Sequence, residues 1–164
     1  MPDANKVLVT NTTPIISMVA ATGGLDAFKF LYSRVVVPFE VAAEVRAGGQ
    51  QSFGFDVFQG ANWLDIQTDE ISLQPFLRNS LDRGEASVIQ TALNLGLPLV
   101  CIDETVGRRV ARLCSLEVTG TIGVLLKAQR LGFSVSMLEA VRRMREHGIW
   151  LSDTVVNFAL KQGQ

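Results

Sequence analysis

The stretch DRGEASVIQTALNLGLPLVCID (residues 82–103) predicts a helix followed directly by a buried strand. Its apolar residues first recur at helical spacing, until Gly96 ends the helix. Residues 97–102 are then almost entirely apolar, which is typical of a central strand in a parallel sheet covered on both faces. Ligands of such sheets bind beyond the carboxyl ends of the strands, so Asp103 is the first candidate site residue. The alternative is that Asp103 caps a helix beginning near Thr105.

Glu85 is the second candidate, because it shares the apolar stripe of its helix with Val88 and Ile89. A carboxylate that faces the core is costly unless it is paired, and a divalent cation would pair with it. The spacing also fits a capping box, in which Asp82 is the N-cap and Glu85 folds back onto the backbone N–H of Asp82. From local spacing alone the two interpretations are equally good.

Strand patterns alternate with helical patterns along the rest of the chain. Strands are predicted at residues 6–10, 35–37, 63–67, 97–102 and 117–119. Further helices are predicted from Pro14 to residue 21 and at residues 25–32, 39–46, 71–77, 105–113, 122–131, 136–147 and 152–161, whereas residues 48–62 look irregular. This alternation predicts a three-layer α/β/α sandwich with a central, mainly parallel sheet. We expect one domain over residues 1–164, with a core at 1–131 and a C-terminal helical extension at 132–164.

Composition and charge narrow the functional class. Of the 164 residues 48% are apolar, which is enough for a substantial core, and the formal charge is only −1. Local arginine clusters can still steer a polyanion, or can be solvated helix faces. They comprise Arg108, Arg109 and Arg112, and then Arg142, Arg143 and Arg145. Neither a leader nor a membrane-spanning run is visible, so we expect a cytoplasmic protein without a membrane partner.

Several kinds of site do not fit the sequence. The glycines at 120 and 123 lack the spacing of a dinucleotide-binding loop, and no P-loop occurs. No serine lies in a nucleophile elbow. His147, the only histidine, lies away from every predicted strand end, which favours a surface residue over a catalytic base or a zinc ligand.

The kind of site that remains is one built from oxygen ligands. Asn11 and Asp103 each end a predicted strand, and Glu44 and Glu85 lie on the inner sides of neighbouring helices. Mg²⁺ and Mn²⁺ prefer carboxylate, carbonyl and water oxygens, and can activate water and stabilise charge in phosphodiester hydrolysis. Glu40 competes with Glu44, although it could simply favour the helix dipole from the first turn.

Two threonines follow the last predicted strand. Thr119 and Thr121 flank Gly120, where they could hydrogen-bond a bound water or a phosphate oxygen. The alternative is that they cap the helix that follows.

Several motifs taken together resemble the PIN-domain family. They are VTNTTPII at 9–16, Glu44, LDRGEASVIQTA at 81–92, LVCIDETVGRRVA at 99–111 and VTGTIGVLLKA at 118–128. More narrowly, the chain resembles the branch of bacterial and archaeal predicted nucleases with GEA on the late helix and a TGT-type segment after the last strand, similar to the VapC-type toxin ribonucleases. The resemblance implies a metal-dependent ribonuclease with RNA as substrate, and possible pairing with an antitoxin protein. We also expect a homodimer or a higher homo-oligomer.

The resemblance assigns roles to individual residues. It places Asn11, Glu44, Glu85 and Asp103 at the four acidic-cluster positions, the last three as ligands of Mg²⁺ or Mn²⁺. On the nuclease hypothesis we also expect supporting roles for Thr12, Glu104, Thr119 and Thr121, and we expect Arg108, Arg109 and Arg112 to attract the RNA backbone.

The first acidic position departs from the family pattern, which has Asp where this chain has Asn11. Asparagine keeps a ligand oxygen but loses a negative charge, so the affinity for a cation should fall. This departure favours a second hypothesis, a PIN-like module that binds RNA or a protein without cutting. A third reading is a purely structural protein in which each acidic side chain is a helix cap.

Overall fold

A computed structural model describes residues 6–163 of the chain. Its five strands are β1 (Val7–Thr10), β2 (Arg34–Val37), β3 (Asp65–Ile66), β4 (Leu99–Cys101) and β5 (Glu117–Thr119). They form one sheet in the order β3-β2-β1-β4-β5, and all pairs are parallel. The central position of β1 and the complete burial of β4 explain why both read as apolar runs.

Ten helices flank the sheet within the described residues. They are α1 (Thr12–Thr22), α2 (Asp26–Leu31), α3 (Phe39–Ala47), α4 (Phe55–Gly60), α5 (Pro75–Ser80), α6 (Arg83–Leu95), α7 (Thr105–Leu113), α8 (Thr121–Arg130), α9 (Met137–Glu146) and α10 (Asp153–Gln162). Helix α6 packs against α3 and α7, whereas α8 packs against α1, α2 and α10. The predicted three-layer α/β/α fold with a parallel sheet is confirmed.

Helix α6 begins and ends as its sequence predicts. The Asp82 side chain accepts a hydrogen bond from the Glu85 N–H at 2.8 Å, so Asp82 is the N-cap. Gly96 ends the helix with a φ of 65°, a left-handed conformation that glycine adopts without a Cβ penalty. The polypeptide then enters β4 directly, which brings the two ends of the 82–103 stretch near the same edge of the sheet.

Two parts of the predicted secondary structure were wrong. Residues 48–62 were predicted to be irregular, but they contain α4. Its only buried large side chain is Phe58, so the sequence shows no apolar repeat at helical spacing. The helix predicted at 71–77 begins at Pro75 instead. Pro75 occupies the first helical position after Gln74, whose backbone is extended. The Ile71 N–H, ahead of this helix, donates to the buried Glu40 carboxylate.

Helices α9 and α10 lie within the predicted extension. Helix α9 packs along α1, and α10 packs against α8 and α9. The Gln129 side chain donates from Nε2 to the Val135 carbonyl at 3.1 Å and to the Gly163 carbonyl at 3.2 Å. The division into core and extension stays a prediction, and its residues 1–5 and 164 lie outside the described part. Between residues 6 and 163, no helix has the length and apolar character needed to cross a bilayer.

Candidate functional site at the carboxyl edge of the sheet

The ends of three strands meet at one edge of the sheet. Thr10 is in register with Cys101, and Cys101 with Thr119. The Asn11 N–H continues the ladder by donating to the Cys101 carbonyl at 3.1 Å. The residues that follow β1, β4 and β5 therefore lie side by side, as the strand order requires, and helices α1, α7 and α8 start there.

Three carboxylates converge beside this edge. Asp82, Glu85 and Glu104 each place an oxygen within 4.8 Å of the others; we call these residues the carboxylate cluster. Asp82 and Glu104 are exposed and immediately precede α6 and α7, whereas Glu85 lies in the first turn of α6. The cluster forms because α6 and α7 begin next to each other.

Glu85 is the buried member of the carboxylate cluster. Glu85 is only 4% exposed, and its Oε2 has no hydrogen-bond partner among residues 6–163. Burial, followed by its hydrogen bond and repulsion with Asp82 and the charge of Glu104, raises the pKa of Glu85 to about 8. A Cβ at Gly107 would overlap Glu85 Oε2, so glycine at this position lets α7 approach the carboxyl group.

Glu44 and Asn11 form a second group around Gly84. A Cβ at Gly84 would lie 2.8 Å from Glu44 Oε2, 3.4 Å from Asn11 Oδ1 and 3.6 Å from Asp82 Oδ1. Asp82 therefore borders both groups. The sequence interpretation gave Asp82 only the role of a helix cap, although an acidic residue at an N-cap three positions before Glu85 was the available signal.

Asp103 is engaged with α8. Its Oδ1 accepts a hydrogen bond from the Thr121 N–H at 2.8 Å, and its Oδ2 accepts one from Thr121 Oγ1 at 2.7 Å. It therefore caps the first turn of α8, and the alternative that it caps the helix at Thr105 was wrong. Helix α7 instead begins after Glu104, whose side chain makes no capping bond. The ligand role of Asp103 stays a prediction.

Glu40 and Glu44 have different surroundings, which decides between them as site residues. Glu40 is buried, and its Oε2 accepts the hydrogen bond from the Ile71 N–H at 2.8 Å. Its Oε1 is buried without a partner within the described chain. Glu44 is exposed, and its carboxylate lies against Gly84. Of the two, Glu44 is the one that borders the candidate site, while Glu40 fastens the segment that precedes α5.

The arginines fall into three environments. Arg108 is half-buried and donates from Nη1 to the Ile102 carbonyl at 2.8 Å. Burial and the neighbouring Arg112 lower the pKa of Arg108. Arg109 and Arg112 are exposed on α7. Arg142 forms ion pairs with acidic neighbours on α9, which makes that second cluster a solvated helix face.

Comparison with known families adds the decisive observation. The family model described as PIN domain (DUF3368) matches residues 7–164. The chain belongs to the PIN-domain family. No curated protein matches the chain. The family match extends over β1 to α10 and therefore covers every element that borders the candidate site.

The donor atoms of this PIN domain fit a divalent cation. All three members of the carboxylate cluster offer oxygen, the ligand type that Mg²⁺ and Mn²⁺ prefer. A buried carboxylate without a hydrogen bond is costly, and a nearby cation would remove that cost for Glu85 Oε2. Within residues 6–163, no other group of three or more acidic, histidine or cysteine side chains brings its ligand atoms within 4.8 Å of one another.

The remaining predicted residues of the PIN domain lie around this edge. Thr12 is the first residue of α1, and its Oγ1 is buried without a partner in the described chain. A Cβ at Gly123 would lie 2.9 Å from Thr119 Oγ1, which places the Thr119 hydroxyl against α8. Thr121 is buried and bound to Asp103, whereas His147 is an exposed residue, as predicted.

Proposed function

We propose that this PIN domain hydrolyses RNA phosphodiesters with the help of a divalent cation, Mg²⁺ or Mn²⁺. The observation that carries the proposal is the buried Glu85 carboxyl group, which lies in the carboxylate cluster with Asp82 and Glu104 and whose Oε2 has no hydrogen-bond partner among residues 6–163. A purely structural cap does not require an oxygen to be buried without a partner. Asp82 is a helix cap as well, so the capping and metal interpretations are compatible.

The carboxylate cluster would hold the cation, and Glu44 and Asn11 would complete the acidic site from the side of Gly84. When bound, the cation would supply Lewis-acid activation of water and stabilisation of the charge that develops on the phosphate. Asp103 remains a proposed ligand, because a carboxylate oxygen that accepts one hydrogen bond retains a further lone pair.

The protein's own residues would position the substrate at this edge. Arg109 and Arg112 are exposed and would attract the phosphate backbone. Arg108 is held against the Ile102 carbonyl beside Asp103, so its charge stays fixed close to the acidic residues. Asp103 keeps the start of α8 in place through Thr121.

A toxin function and an antitoxin partner are proposals from the family resemblance. A homo-oligomeric state and a cytoplasmic location are proposals as well. A short open reading frame for an acidic or amphipathic protein directly upstream would support the toxin role, and its absence would weaken it.

A second candidate function is a nucleic-acid- or protein-binding module that does not cut. Asn11 favours it, because the amide brings no charge to the side of the site that it shares with Glu44.

Cleavage of a mixed RNA pool with Mn²⁺ tests both candidates. Wild type is compared with Asn11→Asp, and Glu85→Gln serves as the blank for contaminating nuclease. Cleavage by wild type above the blank supports the nuclease, whereas cleavage only by Asn11→Asp supports the binding module. If neither protein cuts and Mn²⁺ leaves the melting temperature unchanged, the metal site is contradicted.

A further inference from the structure

A groove of about 970 Å³ separates the candidate site from the C-terminal helical segment. Its near wall is formed by Asp103, Glu104 and the start of α8, and its far wall by residues 149–158; we call it the C-terminal groove. Because Asp103 and Glu104 border both spaces, a ligand in the groove would be continuous with one at the site.

The far wall presents large apolar side chains to solvent. Trp150 is 83% exposed, and Val155 and Phe158 are exposed beside it. An indole ring offers a flat face of large area at a low cost in conformational entropy. Bases of single-stranded nucleic acids stack on such exposed aromatic rings, whatever their sequence, because every base has a π-face.

The groove also contains an unsatisfied polar group. Ser17 lines it from α1, and this residue is 1% exposed. Its Oγ is buried and has no hydrogen-bond partner among residues 6–163. A buried hydroxyl without a partner is unfavourable, so a ligand with a polar edge would gain by binding there. A flat face and a polar edge are the two properties that a nucleobase combines.

The charge pattern separates a nucleic acid from an apolar peptide. Arg108 and Asp103 line the groove together with Trp150, so charged groups and an exposed indole ring border the same space. An apolar helix would cover the far wall but would leave the Ser17 hydroxyl and the near-wall charges unmatched. A strand with a phosphate near Arg108 and a base on Trp150 matches both kinds of group.

We propose that Trp150 is a stacking platform for a base of a single-stranded nucleic acid whose backbone passes the candidate site. The C-terminal groove would thus act as a substrate subsite. This inference rests on the proposed function for the identity of the ligand, but it requires binding only and not cleavage. A duplex would be excluded, because its bases are stacked on each other and cannot reach Trp150.

Tryptophan fluorescence provides the test. The chain has two tryptophans, so Trp63→Phe leaves Trp150 as the only one. This protein is titrated, with Mn²⁺ and separately with chelator, with a short oligouridylate, an abasic ribose-phosphate oligomer of equal length and a duplex. We expect saturable quenching by the oligouridylate, and binding of the abasic oligomer and the duplex weaker by about 5-fold or more, the loss that corresponds to one stacked base.

Matched variants assign the effect to the groove. In anisotropy titrations Trp150→Leu should lose affinity for labelled oligouridylate by about 5-fold or more, and Trp150→Phe should retain most of it. Leu138→Ala, which alters another exposed apolar residue outside the groove, should bind like wild type. Because Trp150 is so exposed, its variants should keep the melting temperature of wild type.

Three results would overturn the inference. They are equal binding of the abasic oligomer, unchanged affinity of Trp150→Leu, and a wild-type dimer in sedimentation that Trp150→Leu dissociates. The third result would assign the groove to a second copy of the chain. RNA cleavage with unchanged affinity of Trp150→Leu would leave the nuclease intact and remove the subsite. Base-dependent binding without cleavage would support the subsite and contradict the nuclease.

Discussion

The Asp103 carboxylate accepts two hydrogen bonds from Thr121, one from its N–H at 2.8 Å and one from its hydroxyl at 2.7 Å. This pair joins the residue after β4 to the first residue of α8 across the edge of the sheet. A Cβ at Gly120 would lie 2.7 Å from Asp103 Oδ1, so glycine at 120 provides the space for the pair. Asp103 therefore has a structural role whether or not it also contacts a cation.

The Asp103–Thr121 pair should contribute measurably to stability. We expect Asp103→Asn, which replaces the charged acceptor with a neutral amide, and Thr121→Val, which removes the hydroxyl donor, each to lower the free energy of unfolding by about 1–3 kcal/mol. The double variant should lose less than the two separate losses together, because both changes break the same contact. Urea unfolding with chelator measures all three. The control Asp69→Asn alters an exposed aspartate and should have little effect; strictly additive losses would contradict the coupling.

Glu85 should make the metal-free protein less stable as the pH rises. The pKa of Glu85 is raised from 4.5 to about 8, so the folded protein holds a proton that the unfolded chain releases within that window. The free energy of unfolding therefore falls between about pH 4.5 and pH 8, and this contribution is fully present only below the window. Urea unfolding across this range with chelator should show a flatter profile for Glu85→Gln.

Glu139→Gln is the control for this pH effect. The hydrogen bond and charge of Arg142 lower the pKa of Glu139, so its titration lies below the window. Its variant should keep the wild-type slope above pH 5. A wild-type slope in Glu85→Gln as well would show that another group is responsible.

Gly107 should be required for metal affinity. Alanine at this position would overlap Glu85 Oε2 and push the carboxyl group out of the carboxylate cluster. We expect Gly107→Ala to weaken Mn²⁺ binding by about 10-fold or more in calorimetric titration, as disturbed ligand positioning does in other metal sites. Gly60→Ala is the matched control, since a Cβ at Gly60 meets nothing within 4 Å. Equal affinities of the two variants would contradict the arrangement.

Asn11→Asp should strengthen metal binding. The Asn11 and Glu44 side-chain oxygens both lie near Gly84, so an added charge there joins the acidic site. We expect the dissociation constant for Mn²⁺ to fall roughly tenfold, a change of about 1.4 kcal/mol. The metal-free variant should melt at a lower temperature, because like charges repel. An unchanged dissociation constant would show that Asn11 does not face the cation.

Arg109 and Arg112 should account for part of the salt dependence of nucleic-acid binding. For a single strand, each lost phosphate contact should reduce the slope of log affinity against log salt by about 0.7. Anisotropy titrations of Arg109→Gln and Arg112→Gln at several salt concentrations measure this slope. Arg142→Gln, which alters an ion-paired arginine on α9, should keep the wild-type slope. Wild-type slopes for both Arg109→Gln and Arg112→Gln would exclude these two residues from the binding surface.

The fold was predictable because its signals are local and redundant. The apolar runs of β1 and β4 and the caps of α6 identify a parallel sheet before any contact is known. The short helix α4 was missed because only one buried aromatic residue marks it. The start of α5 was misplaced although its signal is local, since Pro75 occupies the first helical position.

The site was predictable only at the level of the sheet edge. Sequence spacing identified Glu85 and Asp103 as candidate site residues. The directions of their side chains, however, depend on contacts between helices that are distant in sequence. Asp103 accepts from Thr121, 18 residues later, whereas Asp82 and Glu104 face Glu85 because α6 and α7 start next to each other. No residue pattern within one element carries that information.

Helix α1 connects the candidate site to helix α9. Its 11 residues begin directly after Asn11, and α9 packs along its flank. The helix that begins after Asn11 is therefore packed against a helix more than a hundred residues further along the chain. Substitutions that displace α9 would thus alter the surroundings of α1, whose first turn lies at the edge where the acidic residues gather.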